Sequence, residues 1–138
     1  PAISVDEYNT GYIDFSKNDL YYATKNGVFF KINLKENVAY FKPIKSNIKT
    51  FFESNFKDSY FNPFTTSKFG IKDIMIDEND LYVSYVKKFN EDSYNISVIR
   101  SAISDSLIFN EVFSPLDFIS SNSEEFYPIQ SGGRIVNF

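Results

Sequence analysis

Apolar and polar positions alternate with a period of two over most of this chain, and one alternating block occurs twice. Between Gly11 and Ala23, GYIDFSKNDLYYA, Ile13 and Phe15 lead into Ser16-Lys17-Asn18-Asp19, and Leu20-Tyr21-Tyr22 follow. Between Gly70 and Phe89, GIKDIMIDENDLYVSYVKKF, Ile71, Ile74 and Ile76 lead into Asp77-Glu78-Asn79-Asp80, and Leu81, Tyr82, Val83, Tyr85 and Val86 follow. Each block reads as two strands around a short polar turn, a β-hairpin. The Asn-Asp-Leu-Tyr core at 18–21 returns at 79–82, 61 residues later, which predicts a repeat architecture.

The remaining elements fill out two such units. An edge strand or lead-in is expected over 1–10, then strands near 11–15, 19–24, 27–33 and 37–42. Asn26-Gly27 turns the second strand into the third, because both residues tolerate positive φ. Four short antiparallel strands are the content of one propeller blade, spanning 11–42. Residues 43–69 form a connector, with a short helix near 47–56 and a loop through Asn62-Pro63. Its rings, among them Phe51, Phe52, Phe56 and Tyr60, have to pack over a sheet face or the edge between sheets.

A second blade is expected over 70–115. Its third strand, Tyr94 to Ser101, sets Ile96, Val98 and Arg100 against Asn95, Ser97 and Ile99, and either set could be the buried one. Leu107 to Phe113 is its fourth strand, closed by Ser114-Pro115. Residues 116–138 hold a polar loop, Ser120 to Glu125, and the opening of another strand at Arg134 to Phe138. The expected fold is therefore all-β and β-propeller-like: about two four-stranded antiparallel blades plus the start of a third. The opening at Pro1 without Met or signal peptide reads as trimming. The late strand reads as an incomplete protein, or as a strand returning to pair inside a small closed domain.

Composition agrees with strands: 10 Tyr and 16 Phe stand against 5 Gly and 5 Pro. The formal charge of -4, with acids and bases mixed and no basic cluster, argues against a nucleic-acid partner. The chain lacks Cys and His, which excludes disulfides, thiolate chemistry and His-based zinc or triad catalysis. No run of 18 apolar residues is present, so no transmembrane segment is expected. Asp77-Glu78-Asn79-Asp80 invites a calcium site but lacks the spacing of the twelve-residue calcium loop and reads as a plain turn, so no metal ligand is assigned.

One compact motif remains, Gln130-Ser131-Gly132-Gly133-Arg134-Ile135. Paired glycines allow close backbone approach, and an Arg offers a five-donor fork to a carboxylate or carbonyl pair. A turn followed by a structural Arg explains the same residues.

This motif, following a hairpin like Ile71 to Tyr85 and a strand like Ile96 to Arg100, resembles the glucose/sorbosone dehydrogenase family, soluble β-propellers that use pyrroloquinoline quinone. The resemblance covers mainly 70–138. It implies a calcium-assisted quinone cofactor, a sugar substrate, a periplasmic or extracellular address, and a cofactor site drawing on Gly132, Gly133 and Arg134. The family's catalytic His falls on Gln130, which cannot take a proton. Asp117, Glu124 or Glu125 would have to serve as base instead.

Two functions are expected on these grounds. The first is a fragment or divergent relative of a quinone-dependent sugar dehydrogenase, oxidising a sugar hydroxyl or hemiacetal. The alternative is a non-catalytic propeller domain binding a saccharide or a protein partner. Open sheet edges predict self-association when the chain is alone.

Overall fold

A computed structural model describes residues 11–24, 27–36, 41–55, 71–90, 93–120 and 133–136. The fold is largely β, in two sheets that do not close on themselves, with one helix among the described residues.

Both predicted hairpins are present. Strand β1 (Gly11–Ser16) pairs antiparallel with β2 (Asp19–Thr24), and β5 (Ile71–Asp77) with β6 (Asp80–Asn90). Each turn has two residues, Lys17-Asn18 or Glu78-Asn79, and the first of each is left-handed, with φ of 56° at Lys17 and 52° at Glu78. At the next turn, Gly27 takes a φ of 79° and carries β2 into β3 (Phe29–Asn33). Thr24 closes that turn: its carbonyl accepts from Gly27 N–H and its hydroxyl from Val28 N–H.

The fourth strand differs from expectation. Residues 37–40 lie outside the described set, and β4 is Lys42–Ser46, within the stretch expected to be connector. Pro43 fits in this strand because it sits opposite Phe30 where no described strand flanks the other side of β4, and an edge has no need of the N–H that proline lacks. Helix α1, Ile48–Asn55, is where the short helix was expected.

The expected strand 107–113 is broken in two. Ser106–Leu107, β8, leaves for the first sheet and runs parallel to β4, giving the order β1-β2-β3-β4-β8. Asn110–Phe113, β9, pairs with β7 (Ser93–Ala102), as does β10 (Ile119–Ser120), in a sheet ordered β10-β7-β6-β5. Asn47 forces the break. Its side-chain amide donates to the Phe109 carbonyl at 3.2 Å and its carbonyl oxygen accepts from Phe109 N–H at 2.7 Å, so Phe109 pairs with a side chain instead of a ladder.

The core lies between the sheets. Ala23 and Phe29 from the first, and Ile74, Leu81, Val83, Tyr85 and Ile99 from the second, enclose Ile48, Phe52, Leu107 and Phe109. The Phe52 ring meets Tyr85 edge-on at 4.9 Å, and Phe29 lies 5.3 Å from Phe109. On β7 the buried face is the more polar one: Asn95, Ser97, Ile99 and Ser101 face in, while Ile96 and Val98 are half-buried and Arg100 is exposed. Burial there is affordable because each polar group has a partner. Asn95 donates to the Pro115 carbonyl, Ser97 hydroxyl bonds the Asn95 oxygen and Ser114 hydroxyl, and Ser101 hydroxyl accepts from Ile108 N–H.

Candidate functional site

Of the four predicted site residues, Gly133 and Arg134 are described; Gln130 and Gly132 lie outside the described residues, as do Glu124 and Glu125. Residues 133–136 cross the face of the second sheet that points away from the core. Gly133 has no room for a side chain, since a Cβ there would come within 2.5 Å of Lys72 Cβ. Its carbonyl accepts a hydrogen bond from the buried Ser84 hydroxyl. Two residues on, Ile135 N–H donates to Asp73 at 2.9 Å.

Beside this segment lies a cleft of about 640 Å³. Ile96, Val98, Phe113, Pro115, Ile135 and Val136 supply its apolar lining, and Arg134 and Asp117 its charges. The structure thus brings Gly133, Arg134 and Asp117 to one cleft, and both charged residues are exposed. Among the described residues, no group of three or more His, Cys, Asp or Glu side chains is arranged to hold a metal ion. In the acidic turn, Asp80 is bound by Arg100 at 2.6 Å.

The link from Asp73 has a counterpart that the sequence reading missed. Asp14 on β1 uses one carboxylate oxygen to accept from its neighbour Phe15 N–H at 2.8 Å and the other to accept from Ile76 N–H on β5 at 2.5 Å. Asp73 repeats both contacts, to Ile74 N–H at 3.0 Å and to Ile135 N–H, and each long-range contact spans 62 residues. The Gly-x-x-Asp run that opens both hairpins, at 11–14 and 70–73, is the signal that could have revealed it.

Two further clusters emerged only in the fold. Tyr85 hydroxyl donates to Glu111 at 2.8 Å, and Lys87 bridges Glu111 and Ser114. Burial, then the Glu111 charge, drives the Tyr85 phenol far above its ordinary range. Tyr85 and Lys87 alternate on one face of β6, and Glu111 is set opposite Ile99 on that same face, a placement that needs the strand register. Elsewhere a cleft of about 710 Å³ is lined by Tyr21, Lys31, Asn33, Glu36, Lys42 and Asp105 among others. Lys31 pairs with Asp19 at 2.8 Å and lies 5.9 Å over the Tyr21 ring; the bond to Asp19 raises its pKa.

Comparison with known proteins found no matching family model, no matching curated protein and no matching solved structure.

Proposed function

We propose that this chain is a non-catalytic interaction domain of propeller-like build, in which successive sheets stack along their first strands and the outward faces take a partner. The repeated carboxylate link carries this reading. Asp14 ties the first strand of one sheet to the first strand of the next, and Asp73 ties that sheet to 133–136 in the same way. Under this reading 133–136 is the first strand of a third unit, and the 640 Å³ cleft is the seam that such a unit overlies.

The quinone-dependent oxidoreductase fits less well. Pyrroloquinoline quinone carries three carboxylates, whereas the described lining of the cleft holds one cation, Arg134, and one anion, Asp117. The chain also has no His to act as base. Adding the quinone with calcium is expected to leave both the cofactor spectrum and the thermal midpoint unchanged; a clear shift in either would restore the oxidoreductase.

Amide exchange tests the stacked arrangement directly. Ile76 and Ile135 amides should be protected, with Asp14→Ala exposing the first and Asp73→Ala the second. Each substitution should cost about 1.5–3 kcal/mol, the range for a hydrogen bond to a charged group. Free exchange at both amides in the unsubstituted protein would end the stacked reading.

A saccharide in the 710 Å³ cleft is a second reading, favoured by a wall that offers Asn33, Glu36, Lys42 and Asp105 as donors and acceptors. Saturation-transfer NMR with a panel of sugars would detect it.

A further inference from the structure

The two sheets carry one side-chain cluster in duplicate. Asp19 and Tyr21 on β2 return as Asp80 and Tyr82 on β6. A cation of the next strand stands directly opposite each tyrosine, Lys31 opposite Tyr21 and Arg100 opposite Tyr82. Each cation pairs with the aspartate of its own sheet, Lys31 with Asp19 at 2.8 Å and Arg100 with Asp80 at 2.6 Å. The pairing ties strand to strand in both repeats, so Lys31 is neutralised within the fold and is not held in reserve for a ligand of the 710 Å³ cleft that it lines.

Five residues beyond each cation, in the turn that follows its strand, comes an acid: Glu36 after Lys31 and Asp105 after Arg100. The fold brings both equivalent acids to that one cleft, together with Lys42. All three are exposed, and none has an ion pair among the described residues. Asn33 accepts from Lys35 N–H at 2.9 Å through its side-chain oxygen, which leaves its amide hydrogens to donate. Pro43, Ile44 and Ile103 make the lining partly apolar. Tyr21 is the one ring in the described lining; at 4% exposed, with the Lys31 ammonium 5.9 Å over it, it offers no surface for stacking. A ligand here therefore meets one available cation and two available anions, and has to be held by hydrogen bonds and charge.

We propose that this cleft takes an amino sugar with an unacylated ammonium group, its charge set against Glu36 and Asp105, its hydroxyls bonded to Lys42 and Asn33, and its C–H face against the apolar lining. The inference rests on the saccharide reading above and names the class of saccharide. The excess of one negative charge disfavours a uronic acid or a sugar phosphate, which would place a second anion beside two carboxylates.

Glucosamine, glucose and glucuronate share a ring and differ in charge, and saturation-transfer titrations in mildly acidic, low-salt buffer, where the amine is protonated, test the preference. Glucosamine should bind best and glucuronate worst. The advantage of glucosamine over glucose should be about two- to fivefold, the range for exposed charge pairs, and should shrink as salt is added. Glu36→Gln with Asp105→Asn should abolish that advantage and Lys42→Gln should widen it, with circular dichroism unchanged because all three residues are exposed. Ethylammonium at equal concentration should not displace glucosamine; full displacement would overturn the sugar in favour of any small cation. Equal binding of the three sugars, or an advantage that survives the double substitution, would end the charge preference and leave the saccharide reading standing. Saturation transfer to none of them would end both.

Discussion

Lys17 and Glu78 hold nearly the same left-handed conformation at the heads of two hairpins with the same closing sequence, yet the strands below them meet different surroundings. Leu81 is wholly buried between the sheets, while its counterpart Leu20 is half-buried on an outward face. Local sequence is enough to make the hairpin and to put its apolar residues on one side. Burial of that side is supplied by a neighbour, and only the second hairpin has one among the described residues. Repeats of this kind share local structure before they share stability.

That contrast can be broken most sharply by truncating the paired leucines. Leu81→Ala should cost about 2–5 kcal/mol, as a buried leucine leaves a cavity behind, and Leu20→Ala less than half as much. Equal losses in urea unfolding would mean that the first sheet's outward face is also covered.

A smaller difference lies in alkali. The Tyr85 phenol is raised by burial and by Glu111, so the folded state holds its proton more tightly than the unfolded chain. This stability is complete below the ordinary phenol pKa of about 10 and is lost as pH climbs above it. Tyr85→Phe should cost about 1.5–3 kcal/mol at neutral pH, through the lost hydrogen bond to a carboxylate, and should flatten the alkaline limb. Tyr21→Phe in the first sheet should flatten it less: burial raises that phenol too, but Lys31 opposes the shift. Unfolding midpoints measured from neutral pH to strong alkali would separate the two.

The smallest effect should be the same in both hairpins. Lys17→Gly and Glu78→Gly relieve a left-handed residue of its Cβ, and each should stabilise by up to ~1 kcal/mol. Unequal gains would show that the two turns are strained differently despite their shared geometry.

The features legible from sequence are those fixed by neighbours along the chain. Both hairpins, the Gly27 turn and the short helix follow from alternation, turn residues and clustered rings. Alternation does not say which side of β7 is buried, and there the packing chose Asn95 and Ser97 because Ser114 and Pro115 supply their partners. Nor does it reveal that Asn47 intercepts Phe109 and splits one expected strand in two, an interaction 62 residues long. The candidate site divides in the same way. Gly133 and Arg134 stand out as a motif, but the cleft beside them is built by β7 and β9, and Asp73, which anchors Ile135, looked like any polar strand residue.

The two-residue strand β8 has a consequence for how the protein is made. Lys45 and Ser46 find their parallel partners at Ser106 and Leu107, so the first sheet is completed by residues synthesised long after its other strands. During translation the early strands must wait with that border unpaired, and closing so long a loop is a slow, high-contact-order step. A fragment of residues 1–70 would therefore lack one strand of the first sheet, and the two sheets should melt as a single cooperative unit.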